Sequence, residues 1–431
     1  MEKVMQHIWG HRLWTPARLV TVDGREIEVL DPGIQNKDAG PDFFNAKVRI
    51  DGKTWAGNVE IHVKASDWKR HGHDGDTAYG NVILHVVGKD DMRIRRRDGV
   101  EIPQVVMACA EQYKDELDHL TDRPDYELAC FRQMQSVPQI YRTDWLTALA
   151  FERMQEKANR FIDIMRRTGQ KWNETLYIVL ARALGFGVNS EPFERLAAAT
   201  PLSVLLHYQY NTQTIESILF GQAGLLDAVA EGSAEAQYLD ALRRDYDFFS
   251  RKHSLHRPSE LGWKLARMRP QNFPHRRIAW LASLISRGFL IANEISTIDS
   301  AEAARRLFEN SLSSFWASHF TFAPSSGHIS PHLSRTASDV LIVNVVVPAM
   351  LAYSKLFGGD CTLETCTQIL QSLPPENNRI VRLFGQAGVE CPDAFASQAL
   401  IQLRRSYCEP RKCLDCRFGH RFIAQAVRCR K

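Results

Sequence analysis

Residues 40–87 read GPDFFNAKVRIDGKTWAGNVEIHVKASDWKRHGHDGDTAYGNVILHVV, and their alternation of apolar and ionisable side chains leaves few folds open. In NVEIHVK, Val59, Ile61 and Val63 fall on one face of an extended strand, and Glu60, His62 and Lys64 on the other. Three ionisable groups on one face of a largely apolar strand are costly to bury unless they meet a metal, a substrate or each other. Asp42 opens the preceding run, FFNAKVRI, behind the turn signal Gly40-Pro41. If the runs at 43–50 and 55–63 pair as antiparallel neighbours across Asp51-Gly52-Lys53, Asp42 lies toward the Glu60 end of the site.

Around this pair the order of elements is distinctive. An amphipathic stretch, HIWGHRLW, precedes strand-like REIEVL; the two runs follow, then a polar, helix-capable ASDWKRHGHD and the buried-type strand NVILHVV. Gly40-Pro41-Asp42, with Glu60-Ile61-His62 eighteen residues on, resembles the PD-(D/E)XK nuclease superfamily, with His in place of the usual Lys. The words DAGPDFFNAK, GNVEIHVKASDW and YGNVILHVV resemble a bacterial family known as a domain of unknown function. That second resemblance spans the whole chain, whereas the nuclease resemblance covers about the first 110 residues.

The nuclease resemblance implies an α-β-β-β-α-β core in which Asp42 and Glu60 bind Mg²⁺ or Mn²⁺ as hard oxygen ligands. The metal would activate water and stabilise charge on a phosphate, with His62 orienting or deprotonating that water. A Lys ammonium is a permanent charge and a His is not, so Lys64, two residues on, is the candidate for supplying it. The alternative is a nuclease fold that binds nucleic acid without cleaving it.

Beyond the strand lie His71, His73, Asp74, Asp76 and, within NVILHVV, His85. Read as ligands, His71, His73 and Asp76 form a second set suited to Mn²⁺, Fe²⁺ or Zn²⁺. Read plainly, HGHDGD is a polar loop with turn-forming glycines, facing the site. His85 is expected to be a satisfied strand residue.

At 431 residues and 44% hydrophobic content, the chain has room for two or three domains with real cores. No uninterrupted apolar run approaches the ~20 residues of a membrane span, and the N-terminus carries no signal-peptide pattern, so cytoplasmic residence without membrane contact is expected. Past residue 120 helical periodicity takes over, with helices expected at 144–167, 174–184, 201–220, 233–251, 275–290, 300–316, 339–356 and 376–387. The hexapeptide LFGQAG occurs at 219–224 and 383–388, which suggests either a duplicated helical unit or a shared helix corner. Arg267, Arg269, Arg276 and Arg277 cluster at a helix start near His275, a phosphate-friendly place and the candidate for a nucleic-acid contact; ion pairs in a buried loop are the other reading.

Residues 404–431 hold nine Lys or Arg against two Asp or Glu, +7 of a whole-chain +4, so the rest of the chain sums to −3. Such a tail, Arg411 and Lys412 included, suits DNA or RNA and makes binding salt-sensitive; a solvated basic tail is the ordinary alternative. Within it Cys408, Cys413 and Cys416 have the spacing of a metal site, with His420 or Cys429 as fourth ligand, for Zn²⁺ or an iron–sulfur cluster. Cys109, Cys130, Cys361, Cys366 and Cys391 read as small hydrophobes. No GxSxG, Walker or Rossmann glycine pattern supports an acyl hydrolase, NTPase or dehydrogenase.

The expected architecture is therefore α+β: a PD-(D/E)XK-like domain at 1–120, a boundary at 118–125, a helical domain at 126–403 and a basic, Cys-rich metal-binding tail at 404–431. The expected function is a metal-dependent nuclease in nucleic-acid processing, repair or defence. A catalytically inactive binding scaffold, or an interaction protein whose carboxylates hold something else, are the competing classes.

Overall fold

The computed structural model describes every residue except 15–18, 37, 109, 123–127, 170, 229–232, 260, 290, 359–362 and 430–431. It is a mixed α+β protein whose N-terminal seven-stranded sheet is followed by a large helical region. The chain forms two compact units. One comprises Met1–Trp145, Leu383–Val389 and Leu403–Lys431; the other comprises Leu146–Arg382 and Glu390–Gln402.

The first unit opens with helix α1 (Glu2–Gly10), then β1 (Leu19–Val20), β2 (Glu26–Asp31), β3 (Ile34–Gln35), β4 (Phe43–Ile50) and β5 (Lys53–Lys64). A single helical turn, α2 (Asp67–Arg70), leads to β6 (Val82–Lys89), β7 (Gln104–Val106) and helix α3 (Ala110–Thr121). The sheet order is β1-β2-β4-β5-β6-β7, with β3 also paired to β4; β5, β6 and β7 are parallel and the rest antiparallel. Asp51 and Gly52, both at positive φ (50° and 75°), close the β4–β5 hairpin in two residues, as the twist of paired strands favours. Gly57 is required where β6 approaches: a Cβ there would sit 2.5 Å from Ile83 and 2.6 Å from the Asn81 carbonyl.

Both faces of β5 are covered, which the alternating pattern alone did not reveal. Val59 and Ile61 pack with Met5, Ile8 and Trp9 of α1 and Tyr113 of α3, while Trp68, Tyr79, Val82 and Val87 form a second apolar cluster. The first cluster also takes in Ile423 of the C-terminal helix Arg417–Cys429. That helix is thus packed into the sheet unit's core and is not a solvated extension, because Phe418, Phe422 and Ile423 give it a buried apolar face.

In the second unit, helices Trp172–Leu184, Ser233–Lys252 and Pro274–Ser286 lie close to their expected places. The segment expected as one helix at 201–220 is two, Leu202–Leu206 and Thr212–Ala223, and 300–316 is helical only over Ala301–Arg306 and a short turn at Phe315–Ala317. Helices Ser190–Ala199, Leu363–Gln371 and Ala394–Gln402 were not anticipated. Arg335–Phe357 is 23 residues long and apolar enough, by length and composition, to cross a membrane, a correction to the sequence reading. Its burial is that of a core helix: Asp339 pairs with Arg305 at 2.7 Å, and Lys157 reaches Asn344 at 2.9 Å.

The two LFGQAG copies fall in different units. Both end a helix in one way: the N–H of Leu225 bonds the Phe220 carbonyl and that of Val389 the Phe384 carbonyl, around left-handed Gly224 and Gly388. The repeat is a shared helix-stop sequence. Of the boundary expected at 118–125, residues 118–121 complete α3 and 123–125 lie outside the described residues.

Candidate metal centre

Asp42 precedes β4 and Glu60 lies within β5, so hairpin register decides their separation. The Asp42 N–H donates to Glu60 Oε2 at 3.1 Å, and the Ile61 N–H donates to Asp42 Oδ2 at 3.0 Å. Gln6 of α1 donates to the other Asp42 oxygen at 2.8 Å. Burial raises both carboxyls well above the carboxylate range. The Asp42 charge adds to the rise at Glu60, and the Glu2 charge adds at both. Two buried acids side by side, with no Lys or Arg paired to either among the described residues, are a site in want of positive charge.

Three imidazoles supply the rest. His62 lies two residues along β5 from Glu60, while His71 and His73 flank left-handed Gly72 in the turn after α2. One nitrogen from each of the three lies within 4.8 Å of the others. Glu60 Oε1 is 3.4 Å from His62 Nε2 and 3.3 Å from His73 Nε2, and His62 Nε2 is 3.2 Å from His71 Nδ1. His73 stacks on Tyr79 with centroids 3.8 Å apart. His62 is buried and His71 exposed, so the cluster opens to solvent through His71.

A buried relay fixes which His62 nitrogen faces the site. The Gln104 amide donates to Asp90 Oδ1 at 2.7 Å and to the Met92 carbonyl at 3.1 Å, so its oxygen is left to face His85 Nδ1 at 3.4 Å. His85 then carries its proton on Nδ1 and accepts at Nε2 from His62 Nδ1, 2.9 Å away. His62 Nε2 is left with a lone pair aimed at Glu60 and His71, the tautomer a metal ligand needs. Burial, then the neighbouring His85, His73 and His71, holds His62 neutral, down at about 2.

That neutrality corrects two expectations. His62 does not titrate near neutrality, so it offers a lone pair in place of the Lys charge. Lys64 does not supply that charge either: it is exposed at the end of β5, where its charge acts on Asp91. Asp76 caps the short turn Thr77–Tyr79 through the Ala78 N–H at 2.8 Å and, like Asp74, is exposed outside the cluster. His85 is the satisfied strand residue expected, with the added task of orienting His62. Carboxylates with three imidazoles fit Mn²⁺, Fe²⁺ or Zn²⁺ better than Mg²⁺, which prefers oxygen.

The C-terminal candidates sort differently from expectation. Cys130, Cys408, Cys413 and Cys416 are all thiols. Burial, then Cys130, Cys416 and Cys413, pushes the Cys408 thiol up, and the Cys413 thiol rises to about 11 through burial and Cys416. Cys416 precedes the C-terminal helix, and the N–H groups of Gly419 and Phe418, with Trp145, favour its thiolate against burial. A Cβ on Gly419 would lie 2.2 Å from the Cys413 carbonyl, so glycine is required for this turn to close. His420 Nδ1 is 3.0 Å from His7 Nε2, and His420 forms a second imidazole triad with His7 of α1 and His11, which caps that helix. The side chain of Cys429 lies outside the described residues.

Arg411 and Lys412 are exposed, and Arg411 also donates to the Thr121 carbonyl. Arg269 is exposed, but Arg276 and Arg277 are buried at 5% and 6%, which withdraws both from the surface contact expected of them. Sequence reasoning missed Gln6, Gln104 and Cys130. A helix glutamine and a strand glutamine carry no local signal, and Cys130 is 278 residues from Cys408.

A family model described as "Protein of unknown function (DUF2851)" matches residues 2–379, and the chain belongs to that family. No curated protein and no solved structure matches it.

Proposed function

We propose that this DUF2851 member is a metal-dependent nuclease whose N-terminal unit is a PD-(D/E)XK-like core with a histidine-rich centre. The observation that carries the reading is the meeting of the Asp42 and Glu60 carboxyls with His62, in register, on an antiparallel hairpin that continues into parallel β6. Asp42, Glu60 and His62, joined by His71 and His73, would hold the cation. A divalent ion there supplies Lewis-acid charge to a phosphodiester and a nucleophilic water. The residues themselves do three things. The carboxyls would release their protons to solvent as a cation takes their place, the Gln104–His85 relay keeps a lone pair on His62 Nε2, and exposed His71 stands where a substrate would enter. Exposed Arg269, Arg411 and Lys412 are the proposed backbone contacts to DNA or RNA.

The test is cleavage of single- and double-stranded DNA and RNA by the full chain with Mn²⁺, with Mg²⁺ and with EDTA. Cleavage is expected with Mn²⁺ ahead of Mg²⁺, and none by Glu60→Gln. Salt-sensitive binding with no cleavage under any condition supports the scaffold reading.

The C-terminal metal belongs to the same proposal, with Cys130 replacing His420 as fourth ligand beside Cys408, Cys413 and Cys416. Cys130, Cys413 and Cys416 each act electrostatically on the Cys408 thiol, and four such thiols, one backed by helix N–H groups, would suit Zn²⁺ or an iron–sulfur cluster. Metal analysis of the purified chain, with the visible spectrum to separate iron–sulfur from zinc, should show metal that Cys130→Ser loses and His420→Ala keeps.

A further inference from the structure

The helical unit buries two adjacent arginines in an unusual setting. Arg276 donates to the carbonyls of Trp316, His319 (3.3 Å) and Ser330 (2.6 Å). Arg277 donates to Asn272 Oδ1 at 2.6 Å and lies over the Phe186 ring at 4.5 Å. These are neutral partners. Among the described residues no carboxylate pairs with either guanidinium, and Arg277 is depressed to about 10 by burial and by Arg276. Side-by-side buried cations with nothing negative nearby are among the costlier arrangements a fold can keep.

Both line a cavity of about 480 Å³ that also takes in Arg269, Asn272 and Trp280. Two donors on residues that line it are sealed from solvent and from the cavity alike. Arg277 Nε–H and Trp280 Nε1–H are each buried without a hydrogen-bond partner, and Trp280 is 1% exposed. The 13-residue helix Pro274–Ser286 starts at this wall, and Phe273 before it offers no side-chain cap. Positive charge and a helix N-terminus at one wall both ask for an acceptor-rich anion. Among the described residues no acidic side chain lines the cavity to answer them.

We propose that this cavity binds a small phosphorylated ligand, its phosphoryl oxygens on Arg277 and Arg276. Guanidinium forks match phosphate geometry, and the volume is that of a small-molecule site and exceeds what a bare phosphate fills. Burial of the arginines excludes a duplex backbone, which cannot enter. The inference is independent of the nuclease reading.

The experiment uses the full chain in EDTA, which silences the N-terminal carboxylates, with pyrophosphate and a nucleoside monophosphate as probes and the parent nucleoside as control. Calorimetry should show the monophosphate binding and raising Tm, the nucleoside not, with affinity falling as salt rises. Arg277→Met should bind about ten- to a hundredfold more weakly. Unliganded, it should be at least as stable as wild type, because an uncompensated buried charge is gone. Binding of neither phosphorylated probe overturns the proposal. So does wild-type affinity in Arg277→Met, or a lowered Tm of that variant without ligand, which is the mark of a structural arginine.

Discussion

Replacing Glu60 by Gln should stabilise the metal-free protein while abolishing its response to Mn²⁺. Glu60 is 4% exposed, and burial with the Asp42 charge lifts its carboxyl from an ordinary 4.5 to about 9. In the folded state it stays protonated at neutral pH; unfolded, it ionises above 4.5. The folded chain therefore binds more protons than the unfolded one between those values, and stability falls as pH rises through that window. At pH 7 the window already traversed is about 2.5 pH units, or roughly 3 kcal/mol. The Asp42 contribution is not added, because each carboxyl's charge acts on the other. Glutamine keeps the shape without the ionisation, so Glu60→Gln should gain up to about 3 kcal/mol at pH 7 and nothing near pH 4.5. Scanning calorimetry in EDTA across pH 4.5–8 measures this, and added Mn²⁺ should then raise the wild-type Tm alone. A Gln variant less stable than wild type at pH 7, or one that Mn²⁺ stabilises equally, would falsify the two-carboxylate reading.

Three other outcomes are expected. The His62 ring, held down at about 2 by burial and its neighbours, should show no NMR titration between pH 5 and 8; a midpoint near 6 would mean it is not enclosed as described. Because unfolded histidine protonates near 6.5, the buried neutral ring costs stability as pH falls below that value. Gln104→Leu removes the acceptor that orders His85 and His62, and Mn²⁺ affinity by titration calorimetry should drop about 10- to 100-fold; unchanged affinity removes the relay from the account. Ile423→Ala, at a side chain 1% exposed in the sheet unit's core, should cost about 2–5 kcal/mol in denaturant unfolding, and a cost under half a kcal/mol would detach the C-terminal helix from that core.

Local chemistry was legible in the sequence and long-range assembly was not. The β4–β5 hairpin followed from alternation around Asp51-Gly52, and the shared face of Glu60 and His62 from strand parity. Alternation could not say that β5 is covered on both sides, since ionisable residues on a second buried face look the same as solvent-facing ones. The burial that holds His62 neutral was therefore invisible. His71 and His73 reach the site through a turn set by Gly72, while Gln104 arrives by a parallel pairing with β6 that no local pattern encodes. The tail misled for a similar reason. Its basic count suggested solvent, but Phe418, Phe422 and Ile423 recur at helical spacing and turn it into a core helix. His420 stood at zinc-ligand spacing from Cys416, yet helix geometry turns it toward His7 and His11.

The central claim is that Asp42, Glu60, His62, His71 and His73 hold one divalent cation. Anomalous diffraction at the manganese edge from crystals soaked in Mn²⁺ tests it most directly. A single strong peak is expected within bonding distance of Glu60 Oε1, His62 Nε2 and an Asp42 oxygen. No peak there, with manganese only at other positions, would contradict it.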